Sequence, residues 1–401
     1  MKKNVFLAAA LLALMAAVLP AQTDSEGTPG LKYTLLKDGK GYSVEKGKVK
    51  TSVVVIPESY NNLPVTAIAK KAFSSSTITG ITIPDSVTDI GEQAFKSCAK
   101  LTGITIPASV TTVGNGAFSR SGLTGITIPD NITNIEEEAF EGCKNLTSVT
   151  IGNGLTSIGK QTFKDCKSLT SVTIPNSVNS IGVQAFQGCK SLTGVTIPNS
   201  VIRIWHSAFS ETGLTSITIP ASVISIGEYP SGTASLVSTL DRTATSMGEN
   251  AFISCESLTA INVDAGNAFY SSQDGVLYDK NKTFLIRYPE AKTGSAFTIP
   301  DSVTEIGTRA FLGCKLKSIT IPNGVTIIRA GAFGYCTSLT SVTFQGGSIN
   351  TWELTNFMGD EDSPYPIKLR QRYFDRTGFY NTQGGAGTYT RESGGNVWSK
   401  Q

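Results

Sequence analysis

The sequence predicts an α/β solenoid, a stack of short coils that each add one strand to a parallel β-sheet, and three observations carry that prediction. The phrase LTSVTIPNSVNSIGVQAFQGCK, residues 169–190, recurs in variant form every 22 or 23 residues along most of the 401-residue chain. A phenylalanine marks the same place in each copy, at Phe73, Phe95, Phe118, Phe140, Phe163, Phe186, Phe209, Phe252, Phe311 and Phe333. Each copy also alternates apolar and polar residues, then closes on turn-forming ones. A fixed period of this length means stacked units, none of which buries its own apolar face alone.

The chain opens on a segment that reads as an export signal. Lys2 and Lys3 precede an uncharged apolar run from Val5 to Leu19, and Ala21 places a small residue before a cut at Gln22. That run is shorter than the roughly 20 residues needed to span a bilayer. Residues 1–21 are therefore assigned as a signal peptide, with no stable membrane span once it is removed. Residues 22–57 follow as a β-rich N-terminal cap, because strand-like runs in YTLLKDGKGYSVEKGKVKTSVVVIP (33–57) are broken by Asp38-Gly39 and Gly47, and an open solenoid end needs covering.

Residues 58–345 form the solenoid. In one coil, Val172 and Ile174 alternate with Ser171 and Thr173, the period-two mark of a strand with one buried face. Pro175 and Asn176-Ser177 end it with turn chemistry. Val178 and Ile181 point back inward, Gly182 supplies a tight bend, and Ala185, Phe186 and Cys189 sit at helical spacing, predicting a short helical or 3₁₀ return. About thirteen coils at about 4.8 Å each give an arc roughly 60 Å long. Helical returns need more room than strands, so the sheet should lie on the concave side.

Two interruptions break the rhythm. Residues 228–247 form a degenerate coil that has lost its Ala-Phe return, and residues 264–292 hold two apolar runs around Asp279-Lys280-Asn281-Lys282, which predicts a hairpin insertion. Residues 346–401 abandon the repeat and are assigned as a C-terminal tail or cap.

The consensus I-T-I-P-x-S-V-T-x-I-G-x-x-A-F-x-x-C, spread over about residues 50–345, resembles the BspA-like leucine-rich repeats of bacterial surface proteins. The resemblance implies a curved leucine-rich-repeat solenoid, secreted, displayed on the cell surface or periplasmic, that binds an extracellular protein or glycan. Several members of that family are adhesins. A structural cell-envelope protein without a soluble ligand is the alternative.

Composition narrows the chemistry. A net charge of +3 without basic runs, and 16% charged residues, give no footprint for nucleic acid. All seven cysteines, Cys98, Cys143, Cys166, Cys189, Cys255, Cys314 and Cys336, fall three residues after the repeat phenylalanine, where other coils carry Ser76, Ser121 and Thr212. Disulfides between neighbouring coils are conceivable, but the odd count and the shared position favour buried thiols acting as small apolar residues. No Cys-x-x-Cys pair accompanies the single histidine, His206, so neither a metal site nor a cofactor is expected. Glu136-Glu137-Glu138 and Asp360-Glu361-Asp362 read as solvated surface carboxylates, and the chain is not expected to be an enzyme.

The outward strand positions carry the binding reading. Thr105, Thr127, Thr150, Thr173, Thr196 and Thr218 form one column beside a column of serine or glycine. β-Branched residues also simply suit a strand stack. A second candidate is Trp205, which replaces the bend glycine and is flanked by Arg203 and His206. Tryptophan and arginine are enriched at binding hot spots, though a large ring can equally fill a packing gap. The hairpin aromatics Tyr270, Tyr278, Phe284 and Tyr288 are comparable candidates.

Overall fold

The strand phrase of most described coils becomes a strand in a parallel ladder. In this computed structural model, which describes residues 27–227, 251–346, 386–390 and 399–401, the chain makes about 12 turns. The signal peptide 1–21, the degenerate coil 228–247 and most of the tail lie outside the described residues. Coil stacks on coil in strict register: Ser148 lies beside Ser171, Val149 beside Val172, and Thr150 beside both Thr127 and Thr173. Ile126, Val149, Val172, Ile217 and Ile319 point inward and are buried, because alternate side chains leave opposite faces of a strand.

A second, narrower ladder runs along the stack. The V-x-x-I segment of each coil forms a two-residue strand, as in Ser157–Ile158, Ser180–Ile181, Arg203–Ile204 and Ser225–Ile226, each parallel to the next. The glycine that follows is there for closeness. A Cβ on Gly182 would stand 2.7 Å from the backbone of Gly159 in the coil below, nearer than packed atoms approach.

The helical return predicted for each coil is not there. Among the described residues no helix occurs, and the α part of the α/β assignment is not supported. The Ala-Phe segment is a run of turns with a left-handed residue on either side of the phenylalanine, as at Gln161 and Asp165 around Phe163, or Gln184 and Gly188 around Phe186. The cause lies in where the amides go. The N–H groups of Gln161, Phe163 and Asp165 donate to the carbonyls of Val183, Ala185 and Gln187 in the next coil. An α-helix would consume those donors within its own turn. The return is thus a third set of coil-to-coil hydrogen bonds, and apolar spacing alone cannot tell it from a helical turn.

Phenylalanines fill the interior in one stack. From Phe73 to Phe209 the ring centroids are 5.3–5.5 Å apart with interplanar angles of 4–14°. All seven cysteines are free and buried. Their common position has a reason: Cys98, Cys143, Cys166, Cys189, Cys255 and Cys336 each donate to the carbonyl of the phenylalanine one coil earlier.

The insertion is a three-stranded meander, Tyr270–Gln273, Val276–Asp279 and Phe284–Arg287, antiparallel throughout. Its first turn, Asp274-Gly275, has positive φ at both residues, the conformation a two-residue hairpin turn requires. The meander crosses the interior as a partition with both faces covered. Leu277 and Ile286 belong to the core of the preceding coils, while Val276, Tyr278, Leu285 and Tyr288 belong to that of the following ones. A buried Arg287–Glu290 ion pair ties the junction: Arg287 also donates to the Arg309 carbonyl at 2.6 Å, and Glu290 accepts the Ser254 N–H at 2.9 Å.

Antiparallel strands flank both ends of the described stack. Lys32–Leu35 pairs with Tyr42–Glu45, which itself pairs in parallel with Leu63–Ile68. At the other end Gly387–Thr390 lies along Ser341–Phe344, with Tyr389 buried against Phe344.

Candidate functional site

The outward face of the first ladder is where the fold assembles an array from distant parts of the sequence. Thr105, Thr127, Thr150, Thr173, Thr196 and Thr218 are all exposed, and Thr127, Thr150 and Thr173 are lateral neighbours by strand register. A second threonine column at the strand entrances shows what a purely structural hydroxyl does. Thr147 Oγ1 donates to the Thr124 carbonyl at 2.8 Å, Thr170 to Thr147 at 3.0 Å, and Thr259 to Thr215 at 2.8 Å. By contrast, no hydroxyl of the six outward threonines has a hydrogen-bond partner among the described residues. Six donor-acceptor groups at coil spacing are left for something outside the chain.

The outward face of the ladder is grooved along part of its length. An open groove of about 790 Å³ runs over its first half, floored by Gly80, Gly103 and Gly125 and lined by Thr82, Thr105, Thr127, Ser148 and Thr150, with Val53 at one end. No charged side chain lines it. Gly103 has open space where a Cβ would stand. Residues 103–106 and 194–197 form no ladder with either neighbouring strand, so their peptide groups add further open donors and acceptors. Glycine permits this opening without forcing it, since Gly125 in the same column is paired. Gly80, Thr82 and Val53 were missed by sequence reasoning, although the alternation in Val53-Val54-Val55 with Val54 buried marks the outward positions.

The second candidate stands apart from this array. Arg203 belongs to the narrow ladder, and its guanidinium lies 6.0 Å from the centre of the half-exposed Trp205 ring. Partial burial, helped by the Arg309 charge, pushes the His206 imidazole below its usual range, so it is neutral at physiological pH. The threonines and this trio do not meet. The hairpin aromatics Tyr270, Tyr278 and Tyr288 are buried in the partition and serve packing.

Carboxylates offer no facing pair here. Glu136 accepts the Asn115 N–H at 2.8 Å and Glu137 pairs with Lys160 at 3.1 Å, each bond linking two coils. Asp360-Glu361-Asp362 lies outside the described residues. No group of three or more metal-ligating side chains is gathered among the described residues, and no described helix is long and apolar enough to cross a membrane.

A repeat solenoid with a hydroxyl-lined sheet face defines a class of scaffold rather than a chemistry. Its family is clear from sequence: the BspA type leucine rich repeat region matches residues 66–193, 156–274 and 290–381 in 6 copies, and the chain belongs to that family. A leucine rich cell surface protein from Faecalibacterium prausnitzii is similar in structure, with 29% identity, 80% of this chain and 76% of that one covered, and a TM-score of 0.57. A leucine-rich repeat protein from Bacteroides ovatus shares the fold at 24% identity over 81% of this chain and 88% of its own, with a TM-score of 0.56. No curated protein matches the chain significantly in sequence.

Proposed function

We propose that this chain is an exported protein of the bacterial surface that binds an extracellular protein or glycan on the outward sheet face of its solenoid, as an adhesin. The observation that carries the reading is the contrast between two threonine columns, one satisfied by its own backbone and one left open. A neutral, glycine-floored groove with open peptide groups suits an extended ligand rich in hydroxyls or amides, and a charge-free lining gives no grip to nucleic acid. The similarity to a cell surface protein supports the location. Binding rather than catalysis is proposed, since neither the single histidine nor any carboxylate lines the groove.

The test is a binding panel of matrix proteins and glycans, repeated with Thr150, Thr173 and Thr196 all changed to lysine. Binding should disappear while the β-rich circular dichroism persists. A triple variant that binds normally refutes the sheet-face site, and a wild-type protein that captures nothing favours a purely structural envelope role.

A further inference from the structure

The seven thiols are not equivalent. Six of them send their S–H to the carbonyl of a phenylalanine one coil earlier, and the seventh does not: Cys314 is directed at the sulfur of Cys336, with Sγ atoms 3.1 Å apart. Its preceding coil is the partition strand, where Tyr288 takes the phenylalanine's place in the ring stack at 5.2 Å from Phe311. Cys336 in turn donates to the Phe311 carbonyl at 3.0 Å and accepts the Cys314 S–H. Elsewhere neighbouring thiols are directed at the backbone instead. Cys166 and Cys189 stand on adjacent coils, but their hydrogens point to Phe140 and Phe163 at 3.2 Å.

We propose that Cys314 and Cys336 are a disulfide-forming pair that staples the last coils together when the protein meets a disulfide-bearing donor. The inference is independent of the binding reading. Equivalent residues on adjacent parallel coils stand about 4.8 Å apart, within the roughly 4.4–6.8 Å between Cα atoms that a disulfide spans. The two coils are also fixed on each other beside the pair, by Phe311 N–H to Ala332 and Gly313 N–H to Gly334. Cys314 and Cys336 are 2% and 3% exposed, whereas the other five are at 0%. Burial pushes the Cys336 thiol above the usual cysteine range.

The exchange balances in two steps. Either thiol of the pair, once deprotonated, attacks one sulfur of the donor disulfide, and the other half leaves as a thiolate that takes up the proton this thiol lost. The second sulfur of the pair then attacks the first, expelling the remaining half of the donor, which takes the second thiol's proton and departs as a thiol. The pair gives up two electrons and the donor gains them. Access comes through local opening of these coils.

The reduced full chain would be incubated with oxidised glutathione under native conditions. In parallel it would be refolded in a mixture of reduced and oxidised glutathione, and both samples would be alkylated and mapped by mass spectrometry without reduction. One dominant cross-linked peptide joining Cys314 to Cys336 is expected, with the other five cysteines alkylated only after denaturation. Seven free thiols in both samples, or a dominant link between Cys143, Cys166 and Cys189, overturns the proposal. Oxidation should also raise the Tm of the wild type, and this shift should vanish in Cys314→Ser, a change the coil accommodates because Ser76, Ser121 and Thr212 occupy the equivalent place. An oxidation-dependent shift that persists in Cys314→Ser refutes the staple.

Discussion

Replacing Phe163 by alanine tests whether the ring stack holds the coils together. Its side chain is 1% exposed and lies between Phe140 and Phe186, each 5.5 Å away and within 14° of parallel. Removing a buried phenyl costs about 3–5 kcal/mol through lost transfer energy and the cavity left behind. Both stacked pairs break at once, and each contributes about 0.5–1.5 kcal/mol beyond its buried area, which places the change toward the upper end of that range. The neighbouring coils cannot collapse into the gap, because Phe163 N–H is bonded to Ala185 and its carbonyl receives the Cys189 thiol. For a cooperative unit of roughly 150–250 residues, about 2–4 °C is lost per kcal/mol, so the Tm should fall by roughly 6–20 °C. Calorimetry measures this directly, and hydrogen exchange should show the loosest amides in the coils on either side of residue 163. Affinity in molecules that remain folded should barely change. A variant that melts within about 2 °C of the wild type, less than 1 kcal/mol by the same scale, would refute the ring stack as the spine of the fold.

Three other outcomes follow from particular groups. Burial pushes the Cys98 and Cys143 thiols from 9.0 up to about 11; their contribution is complete below the unfolded value and is lost as pH rises from about 9 through about 11. The Tm should therefore drop across that window, less steeply in Cys143→Ser, and an equal slope in the two proteins would contradict this. Changing Glu290 to alanine strands the buried Arg287 charge at the partition, a loss of about 3–5 kcal/mol. Calorimetry should then resolve separate melting of the coils before and after the partition, whereas a single transition at the wild-type midpoint would show that the ion pair does not couple the two cores. Limited proteolysis should cut first within residues 228–247, where the Ala-Phe return is missing from the sequence, and first cleavage within 145–200 would count against that reading.

How much was legible beforehand depends on how local the signal is. The Val172/Ile174 alternation with Ser171 and Thr173 identified both the strand and its outward column, and the structure places Thr173 beside Thr150 as a constant period requires. The buried thiols were equally legible, since Cys, Ser and Thr share one position after the repeat phenylalanine. The return was misread because Ala185, Phe186 and Cys189 have helical spacing, whereas the amides of Gln184, Phe186 and Gly188 donate to His206, Ala208 and Ser210 in the next coil. The hairpin was visible as two apolar runs. That its faces serve two different cores was not, because each face is decided by whatever coil stacks against it.

By itself the sequence determined the coil, its period, its inward side chains and the column of outward threonines, since all of these follow from spacing within one repeat and from repetition along the chain. The tertiary structure alone decided which hydroxyls find partners, where the ladder opens at residues 103–106 and 194–197, and which two thiols face each other. Those outcomes depend on contacts between coils some 22 residues apart, where a few tenths of an ångström or a rotated peptide changes the partner. A pattern of residue types carries no record of such displacements.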